Sequence, residues 1–284
     1  MCALEEGRYR SSSDTPTAPG AVRTVLRTAD GVPLDAMYEP CTAGFPQDST
    51  ADHEGSGGTA IVVAHGFTGS LERPAIRRAA RVFARRAAVV TFSFRGHGAS
   101  GGRSTVGDRE VLDVAAAVEW ARSLGHTRVV TVGFSMGGSV VLRHAALHGA
   151  RHGGRIEAEP DAVVSVSAPA RWYYRGTAPM RRLHWVVTRP AGRFVGRVGF
   201  RTRIHDRDWD PVPLSPTEAV PLIAPTPLLL VHGDRDPYFP LDHPHMLAAA
   251  GAAELWVERG MGHAENAADE ALLGRIAGWL VPER

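Results

Sequence analysis

Residues 129–138 are Val-Val-Thr-Val-Gly-Phe-Ser-Met-Gly-Gly, and their pattern indicates the fold class. Its first half is a run of β-branched side chains, which is typical of a strand buried on both faces of a sheet. Its second half has a glycine two positions before Ser135 and another two positions after it, followed by Gly138. We predict that a strand ends and a helix begins here, with Ser135 on the turn between them.

The glycine spacing around Ser135 is that of a nucleophile elbow. A turn tight enough to expose a serine hydroxyl strains the backbone, and it leaves no room for larger side chains at Gly133 and Gly137. The start of the helix would direct amide N–H groups and the positive end of its dipole toward the serine. A dinucleotide site is the alternative, but it needs G-x-G-x-x-G, and the glycines stand at 133, 137 and 138.

Short apolar runs like the one before Ser135 recur along the chain and alternate with helix-like stretches. Glu110 to Leu124, for example, has apolar residues at helical spacing. This alternation predicts an α/β fold with a doubly wound, mostly parallel sheet. Ahead of it, Val22 to Tyr38 predicts a β-hairpin around the turn Asp30-Gly31. The predicted strands are Ala60 to Ala64, Ala87 to Phe94, Arg128 to Phe134, Ala162 to Val166, Pro227 to Val231 and Glu254 to Val257.

Composition predicts the domain boundaries. Residues 1–20 are rich in Ser, Thr, Pro, Arg and Glu, which predicts a disordered tail. Residues 41–58 are glycine-rich without apolar periodicity and predict a loop. Residues 171–220 contain ten arginines and five prolines between two predicted strands, which predicts an inserted cap. The core is then predicted to comprise residues 21–170 and 221–284.

Charge and composition exclude several classes of function. The chain of 284 residues has a net charge of +2, so its overall field gives no reason to expect nucleic acid or an anionic membrane as the main partner. It has no lysine, which excludes a P-loop and a Schiff-base lysine. The two cysteines, Cys2 and Cys41, are too few for a disulfide framework. No signal peptide or membrane-spanning run is apparent, so we expect a cytoplasmic protein.

A nucleophilic serine needs a base, an acid and an oxyanion hole. His263 follows the last predicted strand, where the chain order Ser, acid, His places the base. Two carboxylates, Asp234 and Asp236, follow the strand before it, and either is suitable for orienting an imidazolium. The amide of Met136 and that of Phe67, in the loop after an earlier strand, are the predicted oxyanion donors.

Five motifs together resemble the α/β-hydrolase superfamily, in the family's order and over roughly residues 22–284 except the predicted cap. Its serine hydrolases of the lysophospholipase-like and dienelactone-hydrolase-like kind are the most similar. The resemblance implies Ser135 as nucleophile, Asp236 rather than Asp234 as acid, His263 as base, and Phe67 and Met136 as oxyanion donors. It also implies a structural role for His97. The motifs are His65-Gly66-Phe67, Arg95 to Ser100, Gly133 to Gly138, His232 to Asp236 and Gly262-His263.

Two other features have functional and structural interpretations. His144, His148 and His152 recur at helical spacing, but no carboxylate or cysteine completes a metal site, so we predict a solvated helix face and no metal. The arginines of residues 171–220 either bind an anionic group or form a solvated face. Its tryptophans and tyrosines either line an acyl pocket or pack the cap on the core.

Two amphipathic stretches in the same segment, Pro179 to Val187 and Pro190 to Phe200, predict short helices over a pocket. We expect some of their apolar residues to contact substrate. These residues are Leu183, Val186, Val187, Phe194, Val195 and Val198.

The sequence thus predicts a cofactor-free serine hydrolase that cleaves a small-molecule acyl ester or thioester. Nucleic acid and stable membrane insertion are not expected, and the oligomeric state is not predicted. A non-catalytic binding or regulatory protein on the same fold is the alternative from another class. Peptidase, carbon–carbon hydrolase and haloperoxidase-like activities use the same residue types and stay open.

Overall fold

A computed structural model of the chain describes residues 20–42, 58–149 and 156–282. Several predictions lie outside these residues: the tail apart from Gly20, most of the loop at residues 41–58, and the side chains of Cys2 and His152. Every helix in the described ranges is too short or too polar to cross a bilayer.

The core is a sheet of eight strands in the order β1-β2-β4-β3-β5-β6-β7-β8. The first two strands form the predicted antiparallel hairpin, and β2 also pairs antiparallel with β4. The remaining pairs are all parallel. The strands are β1 (Val22–Arg27), β2 (Pro33–Glu39), β3 (Thr59–Ala64), β4 (Ala88–Phe92), β5 (Arg128–Phe134), β6 (Ala162–Val166), β7 (Leu228–Gly233) and β8 (Glu254–Glu258).

Helices cover both faces of the sheet, which explains why the central strands are continuous apolar runs. In β3, Val62 packs into one core layer while its neighbours Ile61 and Val63 pack into the other. The longer helices are α1 (Pro74–Phe83), α2 (Glu110–Ser123), α3 (Met136–His148), α4 (Ala178–Thr188), α5 (Pro190–Gly199), α7 (Asp242–Ala250) and α9 (Glu270–Leu280). Two single turns are α6 (Pro216–Ala219) and α8 (Ala264–Ala267). The predicted doubly wound, mostly parallel α/β fold is confirmed.

The segment of residues 171–220 lies between β6 and β7 and contains α4, α5 and α6. The two longer helices form a hairpin, since α5 begins two residues after α4 ends. Isolated bridges join Thr202 to His97 and Ile204 to Ser104 in the loop after β4. The segment is therefore held against the carboxyl end of the sheet.

The prediction of a solvated histidine face on α3 is wrong. His144 is fully buried, and its ring stacks on that of His148 at 4.8 Å. The reason is the central position of α3, which packs against β5, β6, α2 and α6 and is covered on nearly every side. Arg143 on the same helix is also buried, and it donates to the carbonyl of Asp108 at 2.8 Å.

Candidate active site

Ser135 lies on the predicted turn between β5 and α3, with φ of 53° and ψ of −115°. This strained conformation is rare for a residue with a side chain, and such strain accumulates at functional sites. The turn is possible because its flanking glycines are in close contact with other backbone. A Cβ on Gly133 would overlap the carbonyl of Gly137, and one on Gly137 would overlap the carbonyl of Ala64.

A continuous chain of hydrogen bonds joins Ser135 to His263 and Asp236. The Nε2 atom of His263 lies 2.9 Å from Oγ of Ser135, and its Nδ1 atom lies 2.7 Å from Oδ2 of Asp236. The three side chains come from the ends of β5, β7 and β8, which meet at the carboxyl edge of the parallel sheet. The structure thus brings the predicted nucleophile, base and acid together.

The carboxylate of Asp236 is fixed on both of its oxygens. While Oδ2 bonds His263, Oδ1 accepts from the amides of Tyr238 at 2.8 Å and Phe239 at 3.1 Å. Burial opposes ionisation, but the hydrogen bond and charge of His263 and the two amides outweigh it, so the pKa of Asp236 is lowered. The group is therefore suited to remain an anion beside an imidazolium.

Asp234 occupies a different environment, although it stands only two residues away. Its side chain belongs to an exposed residue, and Oδ1 accepts from the amide of Gly260 at 2.6 Å. The contact ties the loop after β7 to the turn after β8. Residue type alone does not distinguish Asp234 from Asp236 as the acid. In the described part of the chain, Asp236 contacts His263 and Asp234 does not.

Two backbone amides beside Ser135 are available to a ligand. Neither the N–H of Phe67 nor that of Met136 donates a hydrogen bond to any described part of the chain. The neighbouring amide of Gly66 is occupied, because it donates to Oε1 of Glu265 at 3.1 Å. These two free donors are the pair predicted for the oxyanion.

His65 fixes the loop that holds Phe67. Its Nδ1 donates to the carbonyl of Gly66 at 2.6 Å, and its Nε2 accepts from the amide of Phe94 at 3.0 Å. Burial, followed by the charge of neighbouring His97, lowers the pKa of His65 to about 3, so the ring is neutral. His97 is also buried, with Nδ1 3.0 Å from the carbonyl of Arg95 and its ring against Phe67, which agrees with its predicted structural role.

Two positioning residues escape sequence reasoning. Glu265 holds the amide of Gly66 across 199 positions of sequence. Ser167, at a φ of 53°, accepts from the amide of Ala264 at 3.1 Å and so anchors the residue next to His263. Both side chains accept hydrogen bonds from backbone amides of loops that are distant in sequence. No local sequence motif predicts such a contact. The only signal for Glu265 is its place two residues after the predicted base.

Ser135 lies between two cavities. The first encloses about 1020 Å³, its open mouth included, and is lined mainly by apolar groups, among them Trp172, Trp209 and Val187. The second encloses about 1000 Å³ and contains His263, Glu265 and Asn266. Five residues line both: Phe67, Ser135, Met180, Leu183 and Phe239.

The two tryptophans Trp172 and Trp209 line the first cavity and also pack the segment through hydrogen bonds. Nε1 of Trp172 donates to the carbonyl of Pro213 at 3.0 Å, and Nε1 of Trp209 donates to that of Thr105 at 2.7 Å. These bonds tie the segment to itself and to the core. With their polar atoms used, the rings present carbon surfaces to the cavity.

The six apolar residues predicted over a pocket divide into two groups. Leu183, Val186 and Val187 of α4 line the two cavities. Phe194, Val195 and Val198 of α5 are exposed and line neither of these two cavities.

The family model described as the alpha/beta hydrolase family matches residues 61–273. The chain belongs to this family. Esterase Pf2001 of Pyrococcus furiosus is a similar solved structure, with 21% identity and a TM-score of 0.68 over 96% of this α/β hydrolase and 94% of that chain. Est1E from Butyrivibrio proteoclasticus, solved with ferulic acid bound, has 18% identity and a TM-score of 0.59 over 89% and 96%.

A third similar structure is XC6422 from Xanthomonas campestris, described as a serine hydrolase without lid. It has 19% identity and a TM-score of 0.55 over 95% of this α/β hydrolase and 99% of that chain. At these identities the likeness shows a shared fold. No curated protein sequence matches the chain significantly. The narrower lysophospholipase-like or dienelactone-hydrolase-like resemblance stays a prediction.

Within the described residues of this α/β hydrolase, no three His, Cys, Asp or Glu side chains gather where a metal ion would be held. The predictions that it uses neither metal nor cofactor remain predictions.

Proposed function

We propose that this α/β hydrolase cleaves a carboxylic ester or thioester through an acyl-enzyme on Ser135. The observation that carries the proposal is the unbroken chain from Oδ2 of Asp236 through the His263 ring to Oγ of Ser135, with steps of 2.7 and 2.9 Å. Nucleophile, base and orienting acid within hydrogen-bond distance are the signature of covalent acyl transfer.

In the first half of the reaction, Nε2 of His263 takes the Ser135 proton as Oγ attacks the substrate carbonyl. Asp236 holds the proton on Nδ1 and stabilises the imidazolium. The amides of Phe67 and Met136 donate to the oxyanion, which is where charge develops in the transition state. The intermediate collapses when His263 returns the proton to the departing oxygen or sulfur. Water, activated by the same histidine, then releases the acid from Ser135.

We infer where the two halves of the substrate bind from the residues that line the two cavities. Since His263 must protonate the leaving group, that group lies on the histidine's side, and His263 lines only the second cavity. The acyl group then occupies the first cavity, between Trp172 and Trp209. This supports an apolar or aromatic acyl group joined to a more polar alcohol or thiol. We propose that residues 171–220 act as the cap over both.

A thioester is favoured by one contact of the second cavity. Arg182 lines it, and a guanidinium would bind the phosphates of a coenzyme A leaving group. A coenzyme A thioester and its matched oxygen ester, compared in the same assay, decide between the two substrate types.

The test of the proposed activity is hydrolysis of a short-chain p-nitrophenyl ester by the wild type and by Ser135→Ala. We expect turnover by the wild type and a loss of kcat on the order of 10⁶-fold in the variant, because the substitution removes the proposed nucleophile. A folded Ser135→Ala protein that retained the wild-type rate would contradict the mechanism. A wild type inactive on a broad ester and thioester panel would favour a binding protein on this fold.

A further inference from the structure

The small net charge of the chain conceals an uneven distribution. Residues 162–205 contain nine of the 32 arginines and none of the 30 acidic residues. The net charge of +2 therefore combines a strongly basic segment with an acidic remainder, and the basic segment has a local positive field of its own. This basic segment includes the whole α4–α5 hairpin.

Helix α5 buries its small residues and exposes its large apolar ones, the reverse of an ordinary surface helix. Its buried residues are Gly192 and Gly196, and a Cβ on Gly192 would overlap the carbonyl of Trp185 on α4. Its large apolar side chains are exposed, Phe194 by 68% and Val198 by 66%. A helix of a soluble protein normally turns such side chains inward, so these two form an apolar surface without a partner in the described chain.

Exposed arginines occur along the same hairpin as these apolar side chains. Trp185 on α4 is 47% exposed, and Arg189, Arg197 and Arg201 are exposed too. None of these three arginines forms an ion pair or donates a side-chain hydrogen bond to the described residues. We name the six residues Trp185, Arg189, Phe194, Arg197, Val198 and Arg201 the cap face.

We propose that the cap face docks on a lipid surface that carries anionic headgroups. Exposed Trp, Phe and Val side chains flanked by arginines form the pattern of a helix that lies in a bilayer interface, with its apolar groups among the acyl chains and its guanidiniums on phosphates. A nucleic acid would engage the arginines but would leave Val198 and Phe194 without an apolar environment. The lipid surface complements both the charge and the apolar groups.

The cap face adjoins the proposed leaving-group cavity. Phe200 follows α5, is 43% exposed and also lines the second cavity, as does the exposed Arg182 of α4. Docking would therefore hold the mouth of that cavity next to the lipid. The docking itself does not depend on the proposed hydrolysis.

The experiment is sedimentation of the full chain, carrying Ser135→Ala, with phosphatidylcholine vesicles and with vesicles that contain about one-third phosphatidylglycerol. We expect binding to the anionic vesicles, weakened by added salt, and little binding to the neutral ones. Neutralising an arginine at the surface lowers the affinity about fivefold. The triple variant Arg189→Gln, Arg197→Gln, Arg201→Gln should thus bind about 100-fold more weakly.

Matched variants elsewhere on the surface serve as controls. Arg27→Gln, Arg81→Gln, Arg259→Gln removes the same charge from exposed positions, and Val25→Ser with Ile156→Ser removes exposed apolar groups. These control proteins should bind anionic vesicles as tightly as the chain that carries Ser135→Ala alone. The double variant Phe194→Ser, Val198→Ser should bind them at least about tenfold more weakly. In the Ser135 background, all cap-face variants should hydrolyse a soluble p-nitrophenyl ester like the wild type.

Three results would overturn the docking proposal. One is the absence of wild-type binding to the anionic vesicles. Another is an equal loss in the control and cap-face triple variants, which would mean that only overall charge matters. The third is binding of polyglutamate or duplex DNA without binding of vesicles, which would assign the face to another partner. A protein that docks but cleaves neither esters nor thioesters would leave this proposal intact and contradict the proposed function.

Discussion

Asp234 and Asp236 show how the environment of a side chain decides its role. Both follow β7, and residue type alone does not separate them. The fold gives Oδ1 and Oδ2 of Asp236 three hydrogen-bond partners, whereas Asp234 stays at an exposed position and holds the amide of Gly260. The difference arises because the chain turns sharply between the two residues, so that only the second points to His263.

Asp236→Asn should lower kcat for ester hydrolysis by about 10⁴-fold, because an amide favours the wrong tautomer of His263 while leaving the geometry intact. The matched change Asp234→Asn removes the same charge two residues away. It should lower kcat less than about tenfold, because Asp234 holds a turn and does not contact the imidazole of His263. Steady-state kinetics on both variants measure this. Equal losses would show that Asp236 has no special part in the reaction.

The residues proposed to take part in the reaction could be predicted from the sequence. The residues that hold them in position could not. Ser135 and His263 stand in short motifs at the ends of strands, so spacing and chain order suffice to find them. Glu265 and Ser167 bond amides of loops far away in sequence, and such pairing exists only after folding. The burial of His144 escaped prediction for the same reason, because helical periodicity does not reveal how many neighbours cover a helix.

At the scale of elements, the β5–α3 turn depends on glycines for space rather than for flexibility. Gly137→Ala should lower the free energy of unfolding by about 3 kcal/mol and abolish activity, because its Cβ would overlap the carbonyl of Ala64 and push α3 from the sheet. Urea unfolding followed by circular dichroism measures the change. A Gly137→Ala protein as stable and active as the wild type would refute the steric account of the turn.

Gly274→Ala is the matched control for that substitution. It lies in α9 with no atom within 4 Å of a Cβ placed there. Alanine should raise the free energy of unfolding by roughly 0.5–1 kcal/mol through better helix propensity. The same chemical change thus has opposite signs at the two helices.

Strands were easier to predict than the orientation of helices. The predicted run Ala162 to Val166 coincides with β6, because a buried parallel strand is apolar on both faces. The bounds of α5 were also close to the prediction, but its orientation was not foreseen. An apolar stripe on a helix is expected to face the core. In α5, however, two glycines pack against α4, and the apolar side chains therefore face outward.

At the scale of the whole molecule, buried histidines should determine the response to acid. Among the described residues, burial lowers the pKa values of five buried histidines, to about 3 for His65 and about 4 for His243. The unfolded chain takes up these protons near pH 6.5, whereas the folded chain does so only at lower pH. The contribution of these histidines to stability is therefore fully present above pH 6.5 and decreases as the pH falls toward 4. The other three are His97, His144 and His232.

His243→Gln tests this directly, since glutamine retains an acceptor for the amide of Ala170 and cannot take up a proton. Between pH 6.5 and 4, its free energy of unfolding should fall less steeply than that of the wild type, by up to about 1.4 kcal/mol per pH unit. Denaturant titrations across this range give both slopes. Parallel slopes would mean that His243 contributes nothing to the acid response.

Ser135 is the proposed nucleophile that attacks the substrate. The most direct measurement is mass spectrometry of the intact protein and its peptides after reaction with a fluorophosphonate probe. We predict one adduct per chain, on the peptide that contains Ser135, formed slowly by Asp236→Asn and absent in Ser135→Ala. An unmodified wild type, or an adduct on another residue that persists in Ser135→Ala, would contradict the account.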